Sequence, residues 1–599
     1  MTEGETTEGA VGAGETYDVI VVGAGLAGLS LSRHLLRETG RRVLLIERRP
    51  AVPGPHQKVG ESLVQVGGWY FSKFLDLEEH LLREHFLKYN LRFYWKSPGR
   101  ANDRFEDYGQ GFIRKLSNVV SYQLDRNKLE AEILRLNLES PRFTFRPDAR
   151  GAAVELGRDG ELHTVRWTDG QGPDAPARSA RARWVVDTSG RGRVMAKEMD
   201  LRRPNPVRHG AFFWWVDGLV DVEKLTDSTP RQIRGNPDRS VTGHVPFWLA
   251  TNHFCAEGLW FWVIPLQGKT SLGLVFDKTV VDFDHRDVFT VERATEWVCK
   301  NFPLFARDLP QREVLDFGGL KDYSYDCAQT ISAERWAMAG EAGRFSDPLY
   351  SPGSDLISFY NTMIVDAIET GDDRELAEKC SLYENLMRAV YAAYIPSYAK
   401  SYDVLGDQEA FCLKYSWELT VYFAAYVFPF INELFTDRRF ALAFLRLFSQ
   451  LGPMNRGIQE LLSDFFQWKK TNRRPPDGPR FFDFTEIEAL ARAETTFYRV
   501  GVDTSEAKTV LAEQVRSLRE LARFVVAHVA SVVLDDERVA TDRAFVEGVD
   551  LDAIAFDPEG WRARWQGGAG IRGEPYPWSF DPTVMSRFHA GSALAQAAS

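Results

Sequence analysis

Cysteine is scarce. Cys255, Cys299, Cys327, Cys380 and Cys412 are scattered over 599 positions with no C-x-x-C pair, which excludes a disulfide framework and a cysteine zinc site and points to a reducing cytoplasm. No metal is expected from the spacing of any other residues. Positive charge is also short: 73 Lys and Arg stand against 84 Asp and Glu. A net −11 argues against a nucleic-acid partner, whose electrostatic footprint would be basic. No apolar run is long enough to span a bilayer. The strongest window, Val421 to Ile431, is too short and is crowded by Glu418, Pro429, Asn432 and Glu433, so it reads as a buried helix and membrane contact is not expected. Residues 1–16 lack the basic start and apolar stretch of a signal peptide and read as a disordered tail.

What is present begins with Tyr17 to Val22, an apolar run that ends in glycines. Leu26 to Leu36 follows with helical spacing, and Arg42 to Glu47 is a second apolar run. This β–turn–α–β pattern opens a doubly wound α/β, Rossmann-like nucleotide-binding domain. Between about Gly111 and Phe317 lie β-prone stretches such as VSYQL, HTVRW, AFFWWV, LWFWVI and SLGLVF, the pattern of a β-sheet substrate module inserted into that domain. WAMAGEAG, Trp336 to Gly343, reads as another strand entering a glycine turn. From about Leu356 the pattern is helical, and RRPPDGPR at Arg473 to Arg480 breaks it. Ser505 to Leu534 reads as one long helix, and the chain after about Trp561 as loop-like. The expected division is a tail (1–16), a nucleotide-binding domain with an interleaved β-rich module (17–355), a helical C-terminal region (356–472), and a segment of Pro-rich break, long helix and tail (473–599).

Gly23-Ala24-Gly25-Leu26-Ala27-Gly28 fits G-x-G-x-x-G. The first glycine allows a tight turn and the second a close approach of pyrophosphate to the backbone. The third allows helix–strand packing, with phosphate charge at the helix N-terminus. Glu47, followed by Arg48, ends the second strand about twenty residues on, where a carboxylate can hold an adenosine ribose. A second match, Gly568-Ala569-Gly570-Ile571-Arg572-Gly573, has no strand before it and Pro575 and Pro577 behind it. It is set aside as a loop.

Further segments carry a resemblance. Asp187-Thr188-Ser189-Gly190 is similar to the D-x-S-G of FAD-dependent monooxygenases and halogenases. Gly340-Glu341-Ala342-Gly343 is similar to their GDA segment along the flavin, with Glu341 in place of Asp. Lys58-Val59-Gly60-Glu61-Ser62 resembles their G-E-S segment. Arg126 resembles an arginine that the family sets beside the cofactor, although a solvated helix-start arginine is an equal alternative. Trp260-Phe261-Trp262-Val263-Ile264-Pro265 reads W-x-W-x-I-P, which resembles the signature of flavin-dependent halogenases. Phe345 to Gly353 matches the family's F-x-x-P-x-x-S-x-G.

The chain thus resembles the flavin-dependent halogenases, the phenol and pyrrole type more closely than the tryptophan type, over roughly Asp18 to Gly353. The resemblance implies FAD, used as FADH2, with O2 and chloride or bromide. It also implies a flavin hydroperoxide attacked by halide to give hypohalous acid. Trp260, Trp262, Ile264 and Pro265 would wall substrate from the flavin. Lys88, spaced from Phe93 and Trp95 as in the family's K-x-x-x-x-F-x-W, would present the electrophilic halogen to an electron-rich aromatic ring, free or tethered to a carrier protein. A core strand with two tryptophans and a solvated lysine are the plainer alternatives for these two motifs. No second dinucleotide motif is visible, so a partner NAD(P)H-dependent flavin reductase is implied. Ser351, Pro352 and Gly353 would form the halide turn, yet Pro352 has no N–H to give and Asp355 would repel an anion. Two other functions therefore stay open: a flavin monooxygenase or dehydrogenase without halide chemistry, and a silent flavoprotein that serves as a binding partner.

Overall fold

The computed structural model describes residues 15–158, 160–235, 245–281, 283, 289–473, 477–567 and 574–589. Most of the expected tail, part of the Pro-rich break (474–476) and the second glycine motif (568–573) lie outside the described residues. The chain forms two compact units, each assembled from three separate stretches. One contains Met1–His85, Leu124–Asn205 and Ser324–Tyr391; the other contains Phe86–Gln123, Pro206–Tyr323 and Ala392–Ser599.

The first unit is built on a sheet whose strands run in the order Ile331–Ser332, Trp336–Met338, Ala177–Asp187, Thr16–Val22, Val43–Ile46 and Phe143–Arg146. The last five are mutually parallel, and Ala149–Glu155 and His163–Asp169 extend the sheet antiparallel from Ala177–Asp187. Every residue of Val43–Ile46 is buried, as expected where helices cover both faces of a parallel sheet. Helix Leu26–Glu38 packs against helices Arg126–Leu138 and Pro352–Glu369. The register sets Val22 beside both Ile46 and Asp187, and Asp187 beside Met338. The carboxyl ends of these strands therefore form one crevice, where α/β sheets bind ligands.

The second unit is organised on another sheet, in the order Val314–Leu320, His209–Asp217, Lys269–Asp277, Leu259–Leu266, Thr251–Ala256, Leu91–Lys96, Tyr108–Phe112 and Phe481–Asp483. Strand side chains alternate between faces. Phe212, Trp214, Phe254, Phe261, Leu272 and Leu274 join one core with Phe302 and Phe305, while Phe93, Trp95, His253, Trp260 and Trp262 fall at the alternate positions. Helices Gln408–Tyr422, Arg438–Phe448, Leu451–Asn472 and Thr504–Leu534 complete this unit. The last realises the expected long helix and is capped by the Asp503 carboxylate, which accepts from the Ser505 and Glu506 amides. The window 421–431 is buried from Phe423 onward, in keeping with the buried-helix reading. Among the described residues no helix is long and apolar enough to cross a membrane.

Candidate active site

The glycine turn of the first unit behaves as its spacing demands. Gly23 has φ +109°, and a Cβ there would lie 2.7 Å from the Thr188 carbonyl oxygen. At Gly28 a Cβ would fall 2.0 Å from the Gly23 carbonyl oxygen and 2.5 Å from Thr188 Oγ1. Gly25 is different: nothing lies within 4 Å of its would-be Cβ, and no side chain caps the helix that starts there. A helix N-terminus without a side-chain cap, with open space beside Gly25, fits a pyrophosphate. Ala24 donates its N–H to Glu47 Oε2 at 2.7 Å, and Ala27 packs beside Gly340, whose φ is +62°.

Glu47 is buried and bound on both sides. Arg49 donates its backbone N–H and its Nε to Oε1, each at 2.9 Å. Burial opposes ionisation of this carboxyl, but the Arg49 hydrogen bonds and charge prevail and hold it below the usual range. Arg48, the expected partner, is exposed at the strand end. Arg49 is the arginine that turns back onto the site, a residue the sequence reading missed.

Arg126 is not the solvated alternative. It donates to the Val59 carbonyl at 2.8 Å and to Glu130 Oε1 at 2.6 Å, and Gly60, at φ +91°, leaves room for its guanidinium. Lys58 is ion-paired to the same fully buried Glu130. Burial lowers the Lys58 ammonium, Glu130 opposes that shift, and Arg126 and Arg49 add to it. Two cations, Lys58 and Arg126, share the one carboxylate of Glu130, and the excess of positive charge suits a dinucleotide phosphate. Glu61 and Ser62 are buried in the same stretch, with the Glu61 carbonyl accepting from the Leu124 amide at 2.5 Å.

Asp187 is fully buried, and its two oxygens accept the Ser189 and Met195 amides, each at 2.8 Å. What it touches is its own turn, so it shapes the crevice from within. Glu341 and Ala342 lie in the helical turn Gly340–Ala342, and Gly343 follows it. Burial pushes the Glu341 carboxyl up, against the pull of Arg191 and Arg126.

At the expected halide turn, Tyr350 and Ser351 both have positive φ, +66° and +62°, a strained pair for side-chain-bearing residues. Pro352 is the first residue of the helix Pro352–Glu369. The Ser351 amide is already spent on the Pro348 carbonyl at 2.9 Å, so Gly353 is the backbone donor left in the triplet. Asp355 is buried and accepts the Gly67 amide at 2.8 Å.

The remaining expected residues lie together in the second unit. Lys88 ends the strand Phe86–Lys88 and is only 6% exposed, which removes the reading of a solvated charge. Its charge acts on His253, whose imidazole burial pushes down to about 3; the Arg92 carbonyl opposes the shift and Lys88 adds to it. His253 stacks on Phe93 at 4.8 Å and packs beside Trp260 at 5.1 Å, and Trp260 beside Trp262 at 5.6 Å. Trp260 donates to Tyr402 Oη at 2.5 Å, Trp262 to Ser271 Oγ at 3.1 Å, and Trp95 to the Leu405 carbonyl at 3.0 Å. Gly273 lies directly under the Trp262 ring, where a Cβ would come within 2.2 Å. Ile264 continues the tryptophan face, and Pro265 pairs in register with Thr270 near the strand end. This sheet provides an aromatic wall, and buried Lys88, on the separate two-stranded pairing of Phe86–Lys88 with Ser121–Gln123, acts by its charge on the His253 of that wall. His253 and Tyr402 are part of it, and no motif named either.

Residues 18–236 match the family described as FAD dependent oxidoreductase. Among curated proteins, the chain is 26% identical over 370 residues to Flavin-dependent halogenase chlA of Dictyostelium discoideum, covering 57% of this chain and 58% of that protein. It is 26% identical to Tetracycline 7-halogenase of Kitasatospora aureofaciens, covering 56% of this chain and 60% of that one. It is 29% identical to a 1H-pyrrole-2-carbonyl-[peptidyl-carrier protein] chlorinase of Pseudomonas fluorescens, covering 56% and 72%. The matches to the first two relatives thus span less than two thirds of their lengths. Among solved structures, halogenase PltM in complex with phloroglucinol and FAD is similar with a TM-score of 0.57 at 15% identity, over 84% of this chain and 96% of that one. That is a likeness of fold. The resemblance carried by the motifs is borne out by these relatives, and the FAD-binding α/β architecture by the structure.

Proposed function

We propose, from the premise that this chain is a relative of the flavin-dependent halogenases with an FAD dependent oxidoreductase domain, that it halogenates an electron-rich aromatic substrate. The observation that carries the reading is the wall of Trp260 and Trp262, each fixed by an indole hydrogen bond, with buried Lys88 acting on the His253 that packs against it. Reduced FAD, when bound, supplies with O2 the oxidising power that converts chloride or bromide into hypohalous acid. Gly23, Ala24, Gly25, Ala27, Gly28, Glu47 and Arg49 would hold its adenosine diphosphate, with Lys58, Arg126 and Glu341 beside it. Lys88 would donate a proton to the oxygen of hypohalous acid, so that water leaves as the ring takes the halogen. The ring proton lost afterwards restores the ammonium through solvent. The wall would keep the ring from direct oxygenation and fix its orientation.

The names of the relatives support an aromatic substrate, whether a free phenol-like ring or a pyrrole held on a carrier protein. A separate NAD(P)H-dependent reductase would deliver FADH2. The five cysteines, free in the structure, suit a reducing cytoplasm.

To test the reading, FAD-loaded protein is reduced without oxygen and then mixed with oxygen, with and without bromide, in the presence of a phenol trap. Wild type is expected to halogenate the trap beyond a free-flavin blank. Lys88→Ala should lose on the order of a hundredfold in rate or more, with flavin content unchanged. Full halogenation by Lys88→Ala would end the assignment of Lys88. One observation favours a second reading, a flavin monooxygenase or dehydrogenase: the Ser351 amide is occupied and Pro352 has none. An oxygenated or desaturated product formed equally well without halide would support it.

A further inference from the structure

Three side chains from distant parts of the second unit converge at a point the reaction above does not use. Glu409 lies in the first turn of Gln408–Tyr422, His528 on the long helix Thr504–Leu534, and His589 on the last described segment. Glu409 Oε1 is 2.8 Å from His528 Nε2 and 2.7 Å from His589 Nε2. All three atoms lie within 4.8 Å of one another. Glu409 is 2% exposed and His528 5%.

We propose that these three side chains bind a divalent metal ion of the zinc type, which fastens the C-terminal segment to the helical region. Two imidazole nitrogens with one carboxylate oxygen is a donor set zinc accepts, at about 2.0–2.2 Å per ligand. Tetrahedral ligands at that length stand a little over 3 Å apart, so the two separations from Glu409 to the histidines, 2.8 and 2.7 Å, would open by about half an ångström to admit an ion. The surroundings suit a one-oxygen carboxylate ligand. Glu409 Oε2 is taken by Lys469 Nζ at 2.6 Å, and Lys469 is held in turn by both oxygens of Asp407 at 2.8 and 2.9 Å. Such outer partners orient metal-ligating carboxylates. The charges agree as well: Asp407, Glu409 and Lys469 with two neutral imidazoles sum to one buried negative charge, which a dication offsets. Cysteine counting gives no hint of such a site, because its ligands are scattered over about 180 residues of sequence.

The test uses the full chain, freed of any affinity tag and stripped with a chelator, then given zinc sulfate alone and passed through a desalting column. Bound metal is counted by elemental analysis, and the unfolding midpoint is read with and without zinc. One zinc per chain is expected, with a raised midpoint. Cobalt in its place should give the intense visible absorption of a tetrahedral N/O site. His589→Gln, which alters only the terminal segment, should weaken zinc binding at least tenfold while leaving flavin content unchanged. A stripped wild-type chain that retains no zinc above the His589→Gln level, with the same midpoint in zinc and in chelator, would overturn the proposal. The cluster would then be a hydrogen-bonded clasp that needs no ion.

Discussion

Burial governs the ionisation of three histidines far apart in the sequence. His34 is pushed down to about 3 by burial and then by Arg37, His85 by burial and then by its neighbour His80, and His253 by burial with Lys88 adding to it. In the unfolded chain each would take up a proton near pH 6.5. Between pH 6.5 and about 3 the unfolded state therefore binds more protons than the folded one. Stability is fully present above that window and is lost as pH falls through it, by about 1.4 kcal/mol per pH unit for each such histidine. Urea unfolding at pH 7 and pH 5 should show this slope, and His253→Gln should flatten it by roughly one histidine's share. An unchanged slope would mean that His253 titrates normally. At this scale the sequence was legible where sterics decide: Gly23 and Gly28 can be read because a Cβ at either collides with backbone. It was illegible where a turn decides. Arg48 and Arg49 are adjacent and chemically identical, and only the path of the chain after Ile46 determines which one folds back onto Glu47. His253, a lone imidazole in an apolar run, carries no spacing signal.

Helices and strands carried most of what the sequence could tell. LWFWVI declares two faces by alternation, so Phe261 and Val263 enter the core while Trp260 and Trp262 take the opposite side. Helix Arg126–Leu138 shows how a cap serves a site. The Asp125 carboxylate accepts the Asn127 and Lys128 amides at 3.0 and 3.3 Å, which fixes the first turn and with it Arg126. Asp125→Ala is expected to cost about 1 kcal/mol of stability and to weaken FAD retention several-fold, read by flavin fluorescence in a dilution series. If stability drops but FAD stays bound, Arg126 is not held in place by its cap. The stretch read as loop-like from Trp561 contains part of a helix, Pro558–Gly567. Its signals were short but present: Asp557 caps it by accepting the Gly560 amide at 2.9 Å, proline opens it, and Trp561 and Trp565 share a face four residues apart. Among the described residues beyond it, Trp578 donates to the Ala540 carbonyl at 3.0 Å.

Across the whole molecule, hydrophobic pattern reveals elements but not partners. Phe481–Asp483 reads as a short apolar run after a Pro-rich break, yet it pairs in parallel with Tyr108–Phe112 and completes the edge of the large sheet. Local spacing has no means of announcing a partner so remote. Removing residues 473–599 would take away that strand and the long helix, which packs against helices Arg438–Phe448 and Leu451–Asn472. The shortened chain is expected to aggregate or elute as an expanded species in gel filtration and to lose its near-ultraviolet circular dichroism. A monomeric shortened chain with native spectra would show that residues 473–599 are dispensable to this unit.

The pairing of Gln110 with Phe481 also sets a clock. At a synthesis rate of about 5–20 residues per second, the ribosome needs roughly 20 to 70 seconds to make the partner after the first strand has emerged. For that time Tyr108–Phe112 is an open edge beside an aromatic sheet, and His589 has still further to come. Yield in a host cell should therefore depend on chaperone capacity and growth temperature more steeply than the stability of the finished protein would suggest.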